Sequence, residues 1–297
     1  MKTNRTLILL CLLGAGLLSG VVQAQFIFTT NNDAITITSY TSSNGAVVIP
    51  SITNGYPITG IGNYAFANTN PNLTNAIIPS SITNIGQQVF YYCHNLLTIT
   101  VDASNSAYSS VDGVLLNKSQ TSLVQFPEGK SGAYNLPDGV TNIERWAFQD
   151  CFLVTRVTIP KSLINIEREV FLQCYSLTGV YFKGDTPSYG FESLYLSATT
   201  IYYLPGTTGW SNTFVGYPTK LWNPQAQNDA SFGVQTNQFG FNITGTSNLV
   251  IVVEACTNLF NPAWQSVITN TLTNGISYFS DSKWTNYPGR FYRLRSP

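Results

Sequence analysis

The chain has one histidine, His94, and it directly follows Cys93. A Cys–His or Ser–His–Asp centre would have to be built on it, because both need an imidazole within hydrogen-bond reach of the nucleophile. In its setting His94 reads more simply as a surface residue beside a buried cysteine. Cys151 and Cys174 stand 23 residues apart, a spacing that fits no zinc site. Glu144 and Glu167 share that separation. Stacked units would bring them within about one strand spacing of ~4.8 Å, short for the roughly 5 to 9.5 Å of paired glycosidase carboxylates. Asp102, Asn105 and Asp112 carry oxygens suited to calcium, without the spacing of an EF-hand loop. The sequence has no Walker loop and no dinucleotide fingerprint. No catalytic residue, metal ligand or cofactor is assigned, and the chain reads as a binding protein, not an enzyme.

These residues sit in a repeat. Between Pro137 and Lys183 the landmarks Pro137/Pro160, Ile143/Ile166, Phe148/Phe171, Cys151/Cys174 and Val154/Leu177 each recur 23 residues apart. The same pattern stands upstream as Ile78-Pro79, Ile85, Phe90, Cys93 and Leu96, and before that as Ile49-Pro50, Ile61, Phe66 and Leu73. A fixed period of this size marks stacked supersecondary units, because one unit cannot bury its own apolar face and needs a neighbour on each side. Phe90 and Phe148 are 58 residues apart, so an atypical unit with an insertion occupies 102–136. Within it, Asp112-Gly113 is a two-residue hairpin turn.

Inside a unit, Val154, Val157 and Ile159 point inward and Thr155, Arg156 and Thr158 outward, as in an L-x-x-L-x-L strand. The chain then returns through Ile166, Val170 and Phe171 by a short helical turn, and stacking makes a column of Phe66, Phe90, Phe148 and Phe171. Cys93, Cys151 and Cys174 share one position and are expected as buried free thiols; a Cys151–Cys174 bridge is the alternative that the spacing leaves open. Asn84, Asn142 and Asn165 are placed to form a hydrogen-bonded ladder. The Glu144-Arg145 and Glu167-Arg168 pairs are placed to meet diagonally at the surface.

Residues 1–24 read as a signal peptide, with Lys2 and Arg5 before an apolar run and Ala24 at the boundary, so the mature chain would start at Gln25, without a transmembrane segment. Residues 25–49 then form an N-terminal β cap, 50–183 the repeats, 184–222 a closing cap and 223–230 a linker. Residues 231–297 read as a small antiparallel β-module, from alternating runs such as Phe239–Thr244 and Leu249–Ala255. Without Lys2 and Arg5, twelve basic residues face fourteen acidic ones, which excludes nucleic acid as a natural partner. Charged residues are 9% of the chain, well under the roughly 25% of ordinary soluble domains, a balance that suits an exported β-rich protein.

The run from Ile78 to Leu96, I-P-S-S-I-T-N-I-G-Q-Q-V-F-Y-Y-C-H-N-L, with its two later copies, resembles the BspA-type leucine-rich repeat of secreted and surface proteins. The segment Asn105 to Lys118 resembles an insertion that recurs in that family. The C-terminal part is similar to terminal β-modules of large secreted bacterial proteins. The resemblance implies a β-rich solenoid, location outside the cytoplasm, and adhesion or binding of extracellular proteins, with no fixed set of binding residues. On the outward strand positions, Arg156, Tyr181 and Ile77 stand out as anchors, flanked by Thr98 and Thr158. Arg156 and Tyr181 are expected to form one patch. The alternative is a sugar-binding module using Tyr202, Tyr203, Trp210, Trp222, Trp264 or Trp284, so the partner is an extracellular protein or a glycan.

Overall fold

Each unit places one strand on either side of a flattened coil, and its backbone hydrogen bonds run to the units before and after it. The computed structural model describes residues 25–31, 34–67, 71–194, 199–204, 206–222, 224–247 and 249–295; residues 1–24, expected as a signal peptide, lie outside them. On one side Ala46–Val48, Asn75–Ile78 and Thr98–Val101 pair in parallel. After the atypical unit the same side resumes with Gly132–Asn135, Val154–Ile159, Gly179–Phe182, Thr200–Tyr203 and Tyr217–Leu221. The other side runs through Ala34–Tyr40, Tyr56–Ile61 and Asn84–Ile85, then Ser122–Gln125, Asn142–Ile143, Asn165–Ile166 and Ser188–Tyr189. The parallel ladders therefore continue through the segment read as a closing cap. Phe26–Asn31 folds back antiparallel on Ala34–Tyr40 and covers the first edge, which would otherwise expose unpaired backbone groups.

The returning segment is a series of turns and not the expected helical turn; among the described residues the single helix is the short Trp284–Asn286. Gln88, Trp146 and Glu169 have positive φ, and so do Tyr92, Asp150 and Gln173 four residues after each. Two left-handed residues per return stop a right-handed helix from propagating. Phe90, Phe148 and Phe171 lie between such pairs, and in place of the single expected column the rings form two stacks, one in each core: Phe66 and Phe90 lie 5.2 Å apart, while Phe148 and Phe171 are joined by Phe126, with spacings of 4.8 and 4.9 Å. Cys93 donates to the Phe66 carbonyl at 3.3 Å and Cys174 to that of Phe148 at 2.9 Å. Each thiol thus ties its unit to the carbonyl of the preceding ring, and Cys93, Cys151, Cys174 and Cys256 are all buried and unbridged.

The atypical unit divides the core in two. Its hairpin turns at Asp112 and Gly113, both with positive φ, as a type I′ turn requires. In its second strand Leu115 packs into the N-terminal core while Val114 and Leu116 pack into the C-terminal one. Asn105, fully buried, donates to the carbonyls of Pro79 and Ile82 and accepts from the Ala107 and Tyr108 amides. With all four of its hydrogen-bonding sites used, it is a structural plug and no calcium ligand.

The asparagine ladder is shorter than expected. Asn165 donates to Asn142 at 2.8 Å, and Ser122 and Ser188 extend the row at its two ends. Asn84 pairs with Gly60 in the other half and takes no part. The diagonal ion pair exists with a different acid: Arg145 holds Glu169 through Nε at 2.9 Å and Nη2 at 2.6 Å, while Glu167 accepts from the Arg145 amide.

The C-terminal part is a sandwich of two small sheets. Gln238–Thr244 pairs with Gly233–Gln235 and Ile276–Asp281, and also with Gln225–Ala226 from the stretch read as a linker. Val250–Cys256 pairs with Gln265–Thr271 and Phe291–Arg295.

Candidate functional site

The outward residues of the strand side divide into an open half and a covered half. In the N-terminal half Val48, Ile77 and Thr100 align across three strands, with Val48 66% and Ile77 42% exposed. In the next row Thr98 donates to Asn75 at 2.6 Å and is half-buried. Two of the five expected site residues, Ile77 and Thr98, thus belong to an open surface.

The other three lie in the covered half, and the expected Arg156–Tyr181 patch is not a surface. Thr158 pairs with Tyr181, and Tyr181 with Tyr202, across neighbouring strands. The two tyrosine rings stack at 4.6 Å, and Trp222 meets Tyr181 edge-on at 6.0 Å. These three rings share one core with Phe241, Ile243, Leu249, Ile251, Val253, Leu272 and Phe279 of the C-terminal module. Tyr181 and Thr158 are each 2% exposed as a result. Arg156 is half-buried beside them. Gly179 is needed there because a Cβ would stand 2.8 Å from the Tyr181 ring.

On the turn side, where the two cores meet, a cleft of about 440 Å³ opens. Gln88 and Tyr91 line it from the N-terminal half, and Glu128, Glu144, Arg145 and Gln149 from the C-terminal half. Gln88 donates to Gln149 at 2.6 Å, the Tyr92 amide donates to Glu128 at 3.1 Å, and the other Glu128 oxygen lies 2.9 Å from His94 Nδ1. Burial, and then the charge of Asp150, push the Glu128 carboxyl up to about 9 against the opposing Tyr92 and Cys93 amides. Burial likewise raises Glu144, opposed by the Ser122 hydroxyl. Arg145 lies 3.7 Å over the Trp146 ring while it holds Glu169.

This cleft offers hydrogen bonds and no nucleophile. Burial pushes Cys93 up to about 12, so it stays an unreactive thiol. Among the described residues no three His, Cys, Asp or Glu side chains gather as a metal site. Sequence reasoning singled out His94, Glu144 and Glu167 but missed Glu128, Gln88 and Gln149, because they meet across the atypical unit, where the period is broken.

A pH dependence follows from Glu128. Its folded value lies above that of the unfolded chain, so the native state holds the extra proton, and stability falls as pH rises through the window between about 4.5 and 9. Glu128→Gln removes that titration. Urea unfolding at pH 5 and pH 9 is expected to show the variant gaining on the wild type at the higher pH; a constant difference contradicts the assignment.

Comparison with known proteins places these features. A family described as BspA type leucine rich repeat region matches residues 24–131 and 129–208, in six copies. No curated protein matches the chain. Among solved structures it is similar to the pneumococcal vaccine antigen PcpA, at 22% identity over 51% of this chain and 44% of that one, with a TM-score of 0.43. It is also similar to a leucine rich repeat protein of T. pallidum, at 18% identity over 61% and 85% of the two chains with a TM-score of 0.34. A leucine rich cell surface protein from Faecalibacterium prausnitzii matches at 23% identity over 61% and 54%, with a TM-score of 0.35. The chain spans less than half the length of the pneumococcal structure.

Proposed function

This chain belongs to the BspA type leucine-rich repeat family, and we propose that it is a non-catalytic binding protein, secreted or held at the cell surface, that takes an extracellular protein on the open half of its strand side. The observation that carries this reading is the row of Val48, Ile77 and Thr100, two exposed apolar side chains framed by polar neighbours. Apolar anchors inside a polar rim are the usual make-up of a protein-binding patch. The signal sequence supports export, and among the described residues no helix is long and apolar enough to cross a membrane.

The aromatic residues considered for sugar binding are otherwise engaged. Tyr202 and Trp222 are buried under the module, and Tyr203 and Trp210 stack on each other at 5.2 Å. Trp264 lies under Arg293 at 4.3 Å, and Trp284 donates to the Asn237 carbonyl. A protein ligand is the better reading. Screening the mature chain against arrays of extracellular-matrix proteins and of glycans tests it. Ile77→Arg is expected to weaken a protein ligand at least tenfold, about 1.4 kcal/mol, without lowering the melting temperature. Unchanged binding by this variant, or binding to glycans alone, would sink the proposal.

A further inference from the structure

The C-terminal sandwich has an opening of its own. Gln265–Thr271 and Ile276–Asp281 leave a common turn closed by a Thr273–Ile276 bridge, and Asn270 still reaches Ser277 at 2.7 Å. Beyond that contact the strands separate, one sheet going with each, and a pocket of about 490 Å³ opens between Gln265–Val267 and Ser280–Lys283. This volume falls within the roughly 300 to 1,000 Å³ of small-ligand sites. Among the described residues, each of the two strands has a neighbour on one side only, apart from the Thr273–Ile276 bridge. Two runs of unpaired backbone amides and carbonyls therefore flank the opening.

The charge of the pocket is lopsided. Asp281, 4% exposed, accepts from the Lys283 amide at 2.8 Å and the Tyr292 hydroxyl at 2.9 Å, and its Oδ2 lies 2.8 Å from Arg290 Nε. The carboxylate is fully engaged and holds the guanidinium, which lies 4.2 Å from the centre of the Tyr287 ring. Lys283 is exposed at the rim and has no ion pair among the described residues. Lys283 and Arg290 against Asp281 leave the lining at +1, with neutral donors from Gln265, Ser266 and Ser280 around it. The complement of such a lining is a single anion, and a carboxylate matches the planar fork of an arginine.

We propose that this opening docks the free C-terminal carboxylate of an extended peptide, whose backbone adds to one of the two unpaired strand edges. Edge addition supplies sequence-independent hydrogen bonds and the carboxylate fixes the register. An acidic sugar would satisfy the charge and leave both edges unused. The site is distinct from the open strand row, so its success or failure is independent of the function proposed above.

The test is an N-acetylated random pentapeptide library, made once as free acids and once as carboxamides, passed over the immobilised full chain. Free acids are expected to be retained at least tenfold over amides. Lys283→Glu, an exposed change that leaves the Asp281–Arg290 pair intact, is expected to cut that preference at least fivefold with the melting temperature unchanged, and Ile77→Arg to leave it as it was. Equal retention of acids and amides, or a preference that survives Lys283→Glu, overturns the proposal. Retention of trigalacturonate with no peptide retained overturns it also.

Discussion

Phe148→Ala is expected to destabilise the chain by about 3 to 5 kcal/mol, the range for removing a large buried ring. Phe148 has no exposed surface and lies between Phe126 and Phe171 at 4.8 and 4.9 Å, with Tyr134 at 6.1 Å. Its amide is bonded to Val170, and its carbonyl accepts the Cys174 thiol. Neighbouring units are therefore held at their spacing by backbone bonds that the substitution leaves in place, and the cavity cannot close by letting them approach. Phe171→Ala is expected to cost nearly as much. Urea unfolding measures both, and a loss below about 1 kcal/mol at each position would show that the column does not carry the core.

The second large effect is at Tyr181. Read as an outward strand residue, it would be replaceable within about 0.5 kcal/mol; buried between Tyr202 and Trp222 under the module, its loss is expected to cost roughly 3 kcal/mol or more. The cost has two parts, the ring's own burial and the loosening of the module from the solenoid. Ile77→Ala, on the open half, is the matched control and is expected to stay within about 1 kcal/mol, because its side chain is already 42% exposed. Equal small effects at the two positions would place both on free surfaces.

The stacking of Phe66 on Phe90 and of Phe148 on Phe171, the buried cysteines and the Asp112-Gly113 turn were legible because each depends on residues of one unit and its neighbour, whereas the break between the two stacks and the part of Phe126 lie at the atypical unit. Period-two alternation assigns a residue to one side of a sheet and says nothing of what lies beyond that side. Tyr181 was misread for that reason, as the side chains that cover it come from Phe241 to Phe279. A signal was present: Val180-Tyr181-Phe182 has no polar residue where Ile99-Thr100-Val101 has threonine, and a strand covered on both faces reads as a continuous apolar run. Val114-Leu115-Leu116 carries the same mark, and its alternate residues serve the two cores. The left-handed residues of the return had no such signal, since Trp146, Glu169 and Gln88 are side chains that seldom adopt positive φ. The cleft at Glu128 was illegible because the residues that meet there are separated by a unit that breaks the repeat.

The account turns on the C-terminal module covering half of the strand side and leaving the other half for a ligand. Hydroxyl-radical footprinting of the full chain, read tyrosine by tyrosine by mass spectrometry, measures that directly. Tyr181 and Tyr202, at 2% and 5% exposed, are expected to be labelled far more slowly than Tyr175 and Tyr189, at 60% and 54%. Labelling of Tyr181 as fast as that of Tyr175 would mean that the module does not sit on the solenoid and that the whole strand side is open.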